Sequence, residues 1–264
     1  MIRMTRMTCI LAIDAGGTFF KSALVSPRGE ILAGTQRVAP VDSQGPADGI
    51  LAAYASVFET AFAAAAALTP SRRITAIGVS TPGPFDYARH TSLMTHKCQA
   101  IRGLDLRRAL DGVYPEISDI PLRFVHDAHA FVIGEHGRGA ARGHERVIGV
   151  TLGTGIGCGC IIDGAIRDNG SGGPLVSIYQ KPCRDGILED YVSRRGIIRL
   201  YHEHAGRDAP PGLDVAGIAA LALTREASAV RAAFGDAGRA LGETLRPVVD
   251  ELSATCLVTG GQIA

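Results

Sequence analysis

Three short glycine-rich turns follow apolar runs, and their residue types suit phosphate. The first is Asp14, Ala15, Gly16, Gly17 and Thr18. The second is Thr151, Leu152, Gly153, Thr154 and Gly155, and the third is Thr259, Gly260 and Gly261. Glycine lets backbone N–H groups approach a phosphate closely, and threonine hydroxyls add donors beside them. Asp14 supplies a carboxylate of the kind that holds a hydrated Mg²⁺. Any one of these turns reads equally well as an ordinary tight turn. Three of them, each at the C-terminal end of an expected strand, read as a clamp for a polyphosphate. No GxxxxGK[ST] occurs, and Gly153, Gly155, Gly157 and Gly159 never complete GxGxxG. A P-loop enzyme and a Rossmann dehydrogenase are thereby disfavoured.

Asp127 follows the apolar run 122–125 and opens a helical pattern. A carboxylate there can accept the proton of a hydroxyl while a phosphoryl group moves to its oxygen. It can equally cap the helix. His126 and His129 flank it and read as surface, ligand-contacting or hydrogen-bonding histidines.

The elements that must carry these residues follow from the pattern. Residues 9–13, 20–25 and 30–38 read as an antiparallel meander, with a turn at 26–29. Residues 48–68 are alanine-rich with helical spacing, and 74–80 read as a buried strand ended by the rigid turn Thr81, Pro82, Gly83 and Pro84. A short helix is expected at 104–110, a strand at 122–125 and a helix at 128–136. The second half repeats the opening, with a strand at 146–152, a Gly/Thr turn and a strand at 158–163. A helix is expected at 188–204, two more within 215–247, and a last strand at 256–259. This weak internal symmetry points to a duplicated α/β unit, with expected domains at 1–120 and 121–264.

Composition narrows the functional classes. The chain has 264 residues, of which 46% are hydrophobic and 20% charged, and a net charge of +1. It can bury a core, and it has no basic excess to hold nucleic acid. The longest apolar run, 61–68, is shorter than a bilayer requires. The stretch after Arg3 and Arg6 is too short for a signal peptide, so a cytoplasmic protein without a membrane partner is expected. Six cysteines in such a chain read as free thiols. Cys158 and Cys160 would share one strand face as small buried hydrophobes.

The ordered set of Asp14 with Gly16, Gly17 and Thr18, then Thr81 to Pro84, His126-Asp127-Ala128, Thr151 to Gly157, and Thr259-Gly260-Gly261 resembles the ROK family. That family comprises bacterial sugar kinases and related repressors. The resemblance implies the actin-like ATPase (hexokinase, Hsp70) superfold: two α/β lobes, each with a mixed sheet, flanking an interdomain cleft. It also implies ATP and Mg²⁺, a sugar substrate and a homodimer. Asp14, Gly16, Gly17 and Thr18 would form the first phosphate loop, with Asp14 reaching Mg²⁺ through water. Thr151, Gly153, Thr154 and Gly155 would form the second, and Gly260 and Gly261 would lie at the adenosine. Asp127 matches the catalytic base. Gly83, His126, Glu189, His96 and Lys97 fall where the family meets its sugar, although Glu189 also suits a helix terminus and the 96–97 pair an exposed loop.

The departures from the family fall on the sugar and zinc residues. Asn usually precedes the catalytic Asp; His126 stands here. Gly-Glu-Ile-Gly-His usually follows the second hairpin; the corresponding residues are 176–180, so Ser177 replaces an acidic sugar ligand and Gln180 a zinc histidine. Only Cys183 stands near the family's zinc cysteines, and no structural zinc is expected. A serine cannot supply the charge-assisted bond of a carboxylate, so an altered sugar pocket is expected. The resemblance also implies a helix, a strand and a closing helix beyond Gly261. The leading expectation is an ATP-dependent sugar kinase. A non-catalytic sugar- or nucleotide-binding regulator, and a phosphohydrolase or a kinase using another donor such as polyphosphate, stay open.

Overall fold

The computed structural model describes residues 7–95, 97–206 and 212–263. The chain forms two compact units, one running to Ala130 and including Gly170–Gly173, the other made of Phe131–Asn169 and the chain from Pro174 onward.

Unit 1 is built on β1 (Met7–Ala15), β2 (Phe19–Val25), β3 (Arg37–Pro40), α1 (Ala47–Ala67), β4 (Arg72–Thr81), β5 (Phe85–Asp86), β6 (Thr91–Ser92), α2 (Leu106–Val113) and β7 (Leu122–His126). In β1 every second residue is buried: Cys9, Leu11, Ile13 and Ala15. That is the period of a strand with one face in a core. The sheet order is β3-β2-β1-β4-β7, with β1, β4 and β7 parallel and β2 and β3 antiparallel. α1 buries Ile50, Leu51, Tyr54, Val57, Phe58, Ala61 and Ala65 in this core, a three-and-four spacing that marks one face. By length and composition alone α1 could cross a membrane. Its apolar stripe is instead covered by the core of unit 1. α2 starts at Asp105, whose carboxylate accepts the Arg108 N–H at 3.1 Å, as an N-cap does.

The helix α3 (Asp127–Arg138) begins in unit 1 and continues in unit 2. Unit 2 then contains β8 (Val147–Leu152), β9 (Ile156–Ile162), β10 (Ala165–Arg167), β11 (Pro182–Cys183), β12 (Gly186–Ile187), α4 (Glu189–Val192), α5 (Arg194–Ala205), α6 (Val215–Ala220), α7 (Ala227–Leu252) and β13 (Cys256–Gly260). Its main sheet runs β10-β9-β8-β13, with β8 and β13 parallel. α3 lies so close to β8 that a Cβ on Gly149 would stand 2.7 Å from the Val132 side chain. Cys158 and Cys160 are buried on one face of β9, their sulfurs 4.0 Å apart.

Four expected boundaries differ. β7 pairs with β4 in the first sheet, so unit 1 extends past residue 120 to Ala130. The strand expected at 30–38 is confined to Arg37–Pro40. Residues 27–34 are largely exposed, and this stretch is held by the Thr35 hydroxyl, which donates to the Leu32 carbonyl at 2.7 Å. The helix expected at 188–204 is two helices, because the Ser193 hydroxyl accepts the Gly196 N–H and starts α5 afresh. α7 passes through Pro247 to Leu252. Leu245 and Val248 are buried on either side of that proline, and packing outweighs the lost backbone bond.

Candidate functional site

In unit 1 the C-terminal ends of three parallel neighbours carry the polar residues. Asp14 is paired in register with Ser80, and Thr81 with His126. Two strand spacings, about 10 Å, therefore separate the Asp14 strand from the strand that leads to Asp127. Asp14 is exposed, and its Oδ1 accepts the Ser80 hydroxyl at 3.4 Å. A hard cation that keeps most of its waters needs one such accessible carboxylate, so Asp14 fits Mg²⁺.

The turn that follows is shaped by its own backbone. The Gly16 N–H donates to the Asp14 and Phe19 carbonyls, and a Cβ on Gly16 would lie 2.8 Å from the Phe19 oxygen. Gly16 is thus a requirement of the fold. Gly17 is different: a Cβ there would meet Lys97 Cδ and Ser43 Oγ at an ordinary 3.5 Å. The protein's own packing does not demand a glycine at 17. A ligand pressed against the backbone would. Thr18 is exposed, and its carbonyl accepts the Val41 N–H at 2.9 Å.

Asp127 is the first residue of α3, and 43% of its side chain is exposed. Its Oδ1 accepts the Ala128 N–H at 2.7 Å. The same N–H also lies 3.2 Å from His126 Nδ1, which itself stands 3.1 Å from Asp127 Oδ1. His126 Nε2 stands 3.7 Å from the Cβ position of Gly83. Burial lowers the His126 pKa, against the opposing pull of the Asp127 carboxylate 3.1 Å away. Tyr87 completes this end. Its hydroxyl donates to the Thr81 carbonyl at 3.2 Å, and burial, then Asp127, push the phenol well above its usual pKa. The rings of His126 and the buried His129 lie 5.4 Å apart.

In unit 2 the turn between β8 and β9 is braced from within. The Gly153 N–H donates to the Gly155 carbonyl at 3.0 Å, and the Gly153 carbonyl accepts the Arg194 N–H at 2.8 Å. Glu189, at the start of α4, lies against this turn: its Oε2 accepts the Ile156 N–H at 3.3 Å and stands 2.8 Å from the Cβ position of Gly155. Arg195 is 3.4 Å from its other oxygen. Thr154 is exposed and Thr151 half-buried. At the end of β13, a Cβ on Gly260 would strike the Phe131 ring at 2.4 Å, and one on Gly261 the Leu152 carbonyl oxygen at 2.2 Å.

Of the residues singled out in the sequence, unit 1 thus gathers Asp14, Gly16, Gly17, Thr18, Gly83, Lys97, His126 and Asp127, while unit 2 gathers Thr151, Gly153, Thr154, Gly155, Glu189, Gly260 and Gly261. His96 lies outside the described residues. Lys97 sits beside the first turn, and Glu189 is engaged by the second. Ser177 and Gln180 are exposed around the buried Ile178. Among the described residues no group of three or more His, Cys, Asp and Glu is arranged to hold a metal. Sequence reasoning missed Ser43, Ser80 and Tyr87. Only Ser80 left a signal, as a polar residue ending an apolar strand.

Comparison with known proteins bears on this arrangement. The model of the ROK family matches residues 10–264. Glucokinase of Thermotoga maritima is 28% identical over 216 residues, covering 74% of this chain and 60% of the relative. The chain therefore spans about three fifths of the length of that curated relative. A ROK family glucokinase from Streptomyces griseus, solved with glucose and AMPPNP, superposes with a TM-score of 0.75 at 22% identity, covering 96% of this chain and 83% of that one. A ROK family transcriptional regulator, a homologue of the E. coli MLC protein, superposes with a TM-score of 0.77 at 20% identity, covering 97% and 65%. The fold is that of the ROK proteins, the actin-like ATPase class of mixed α/β structure.

Proposed function

The chain belongs to the ROK family, and on that premise we propose that it is an ATP-dependent sugar kinase. The observation that carries this reading is Asp127. It stands at the C-terminal ends of the parallel strands β1, β4 and β7, with one oxygen bound to a backbone N–H, its side chain partly open to solvent, and an exposed Asp14 on the same edge. In the reaction Asp127 takes the proton of a sugar hydroxyl as that oxygen forms a bond to the γ-phosphorus; the bond from that phosphorus to the β,γ-bridging oxygen breaks, and ADP leaves. Asp14 would hold Mg²⁺ through water, and the cation supplies charge neutralisation on the phosphates. Gly17 and Thr18 offer backbone and hydroxyl donors to the phosphates on unit 1. Thr151, Gly153, Thr154 and Gly155 do so on unit 2, and Gly260 and Gly261 are assigned to the adenosine. His126, at Gly83, keeps the neighbourhood of Asp127 free of a second negative charge. By the resemblance, the sugar is assigned to Gly83, His126 and His96. The names of the relatives, glucokinase and N-acetyl-D-glucosamine kinase, support a hexose or amino sugar.

The test is ADP release from Mg-ATP against a panel of hexoses, amino sugars and polyols. Asp127→Asn keeps an oxygen for the Ala128 N–H and removes the base; turnover should fall about 10²–10⁴-fold while ATP still raises the melting temperature. Equal turnover by that variant overturns the role of Asp127. A second reading, a binding module without turnover, is favoured by Ser177 in place of an acidic sugar ligand. It predicts that sugars and ATP stabilise the protein and that no sugar elicits ADP.

A further inference from the structure

The side chain of Lys97 lies over the first glycine turn. Its Cδ is 3.5 Å from the Cβ position of Gly17, the same distance as Ser43 Oγ. The segment is pinned there, since the Cys98 N–H donates to the Ser43 carbonyl at 2.7 Å and Cys98 adopts a left-handed conformation with φ 50°. Lys97 is half-buried, and it makes no ion pair with any described residue, although unit 1 is well supplied with carboxylates. An ammonium on a half-buried stem, without a carboxylate partner among the described residues and beside a turn that leaves its glycine uncrowded, is a site for an anion. A neutral sugar hydroxyl would use only one of its donors and none of its charge. The Cys98 thiol senses the same cation: burial raises its pKa, and Lys97 draws it back.

We propose that Lys97 grips the terminal phosphoryl group of the donor at the Gly16–Gly17 turn, with Ser43 Oγ beside it, and is not a sugar ligand. This rests on the kinase reading for its meaning but not for its test. The charged head neutralises the phosphoryl oxygens while the butyl stem packs over Gly17. The chemistry recognised is a chain of phosphates, whether it ends in a nucleoside or is inorganic.

The experiment is titration calorimetry of the whole chain with inorganic tripolyphosphate, Mg-ATP and glucose, each at two salt concentrations. Lys97→Met keeps the stem and removes the charge. Its affinity for tripolyphosphate should fall about tenfold, the salt dependence should flatten, and glucose affinity should stay within about twofold. Lys97→Arg should recover most of the loss, which shows that charge and not folding is at issue. A loss for tripolyphosphate without one for Mg-ATP identifies an inorganic donor, and a loss for both a site shared by the two. Unchanged tripolyphosphate binding in Lys97→Met, a larger loss for glucose than for the phosphates, or no tripolyphosphate binding by the unmodified chain overturns the proposal. If Lys97-dependent phosphate binding is found but no sugar releases ADP, the kinase reading falls and this one stands. If sugar-dependent ADP release is found and Lys97→Met is silent, the reverse holds.

Discussion

The hairpins β1–β2 and β8–β9 are the same device in the two units, and each brings a Gly/Thr turn to the end of a strand. They differ in what holds them. At the first turn the carboxylate, Asp14, is exposed and, among the described residues, hydrogen-bonded only by the Ser80 hydroxyl at 3.4 Å, and Gly17 is uncrowded. At the second, the nearby carboxylate is Glu189, bound to the Ile156 N–H and close to Arg195, and its Oε2 stands 2.8 Å from the Cβ position of Gly155. The first turn leaves its carboxylate and Gly17 open toward a ligand; the second has its carboxylate bound to the turn itself. Glycine in a motif can therefore mean room for something outside the chain or room for the chain's own side chain, and only the surroundings tell which.

The largest effect should come from the open turn. Asp14→Ala should lower sugar-dependent ADP release by about 10²–10³-fold, in the range for losing a group that stabilises transferring phosphate. The melting temperature should barely move, because the side chain is exposed. A matching loss of stability would show that Asp14 braces its turn as Glu189 does and would break the contrast.

Next come the glycines. Gly261→Ala places a methyl 2.2 Å from the Leu152 oxygen at a φ of +111°, and should cost about 3 kcal/mol or more in a denaturant titration. Gly17→Ala should change stability by less than about 0.5 kcal/mol yet raise the KM for Mg-ATP. If the two alanines cost the same stability, the first turn is as crowded as the third.

How far these distinctions were legible depends on sequence separation. β1, β2, β4, β7, β8, β9 and β13 could be read because short apolar runs ended at glycine, at a proline turn or at a charged residue. Asp14 and Asp127 could be read as candidate site residues for the same reason, since each adjoins the end of its strand. The break at Ser193 was visible in principle, because a serine ahead of a helical run is an N-cap signal. Passage through Pro247 was not, because it depends on packing around Leu245 and Val248. Nor could the sequence show Lys97 over Gly17, eighty residues apart, or Glu189 on the Gly155 turn, thirty-four apart: folding alone makes those neighbours. The resemblance alone puts both with the sugar, and their positions are what separate the two turns.

Glu189→Gln tests the brace directly. It removes the charge that accepts the Ile156 N–H, while the amide oxygen can still accept. Stability should drop by about 1–2 kcal/mol, read as a lower denaturation midpoint, and the KM for sugar should move less than that for Mg-ATP. A variant of unchanged stability whose sugar KM alone rises would return Glu189 to the sugar and leave the second turn as open as the first.

The smallest effect concerns acid and belongs to the open end of unit 1. His126 is faced by Asp127, by the ring of His129 at 5.4 Å and by Tyr87 at 6.3 Å. Burial sets its pKa below the usual 6.5, and Asp127 offsets that only in part. Between the lowered folded value and 6.5 the unfolded chain binds the extra proton, so stability present above pH 6.5 is lost as pH falls through the folded pKa. His126→Asn removes this titration, and the variant should lose less stability than the unmodified chain when denaturation is followed from pH 7 to pH 5. A variant more acid-sensitive than its parent would mean that Asp127 outweighs burial and holds His126 as the cation. Asp127 would then be ion-paired before any substrate arrives, and the first unit, like the second, would have its carboxylate already occupied.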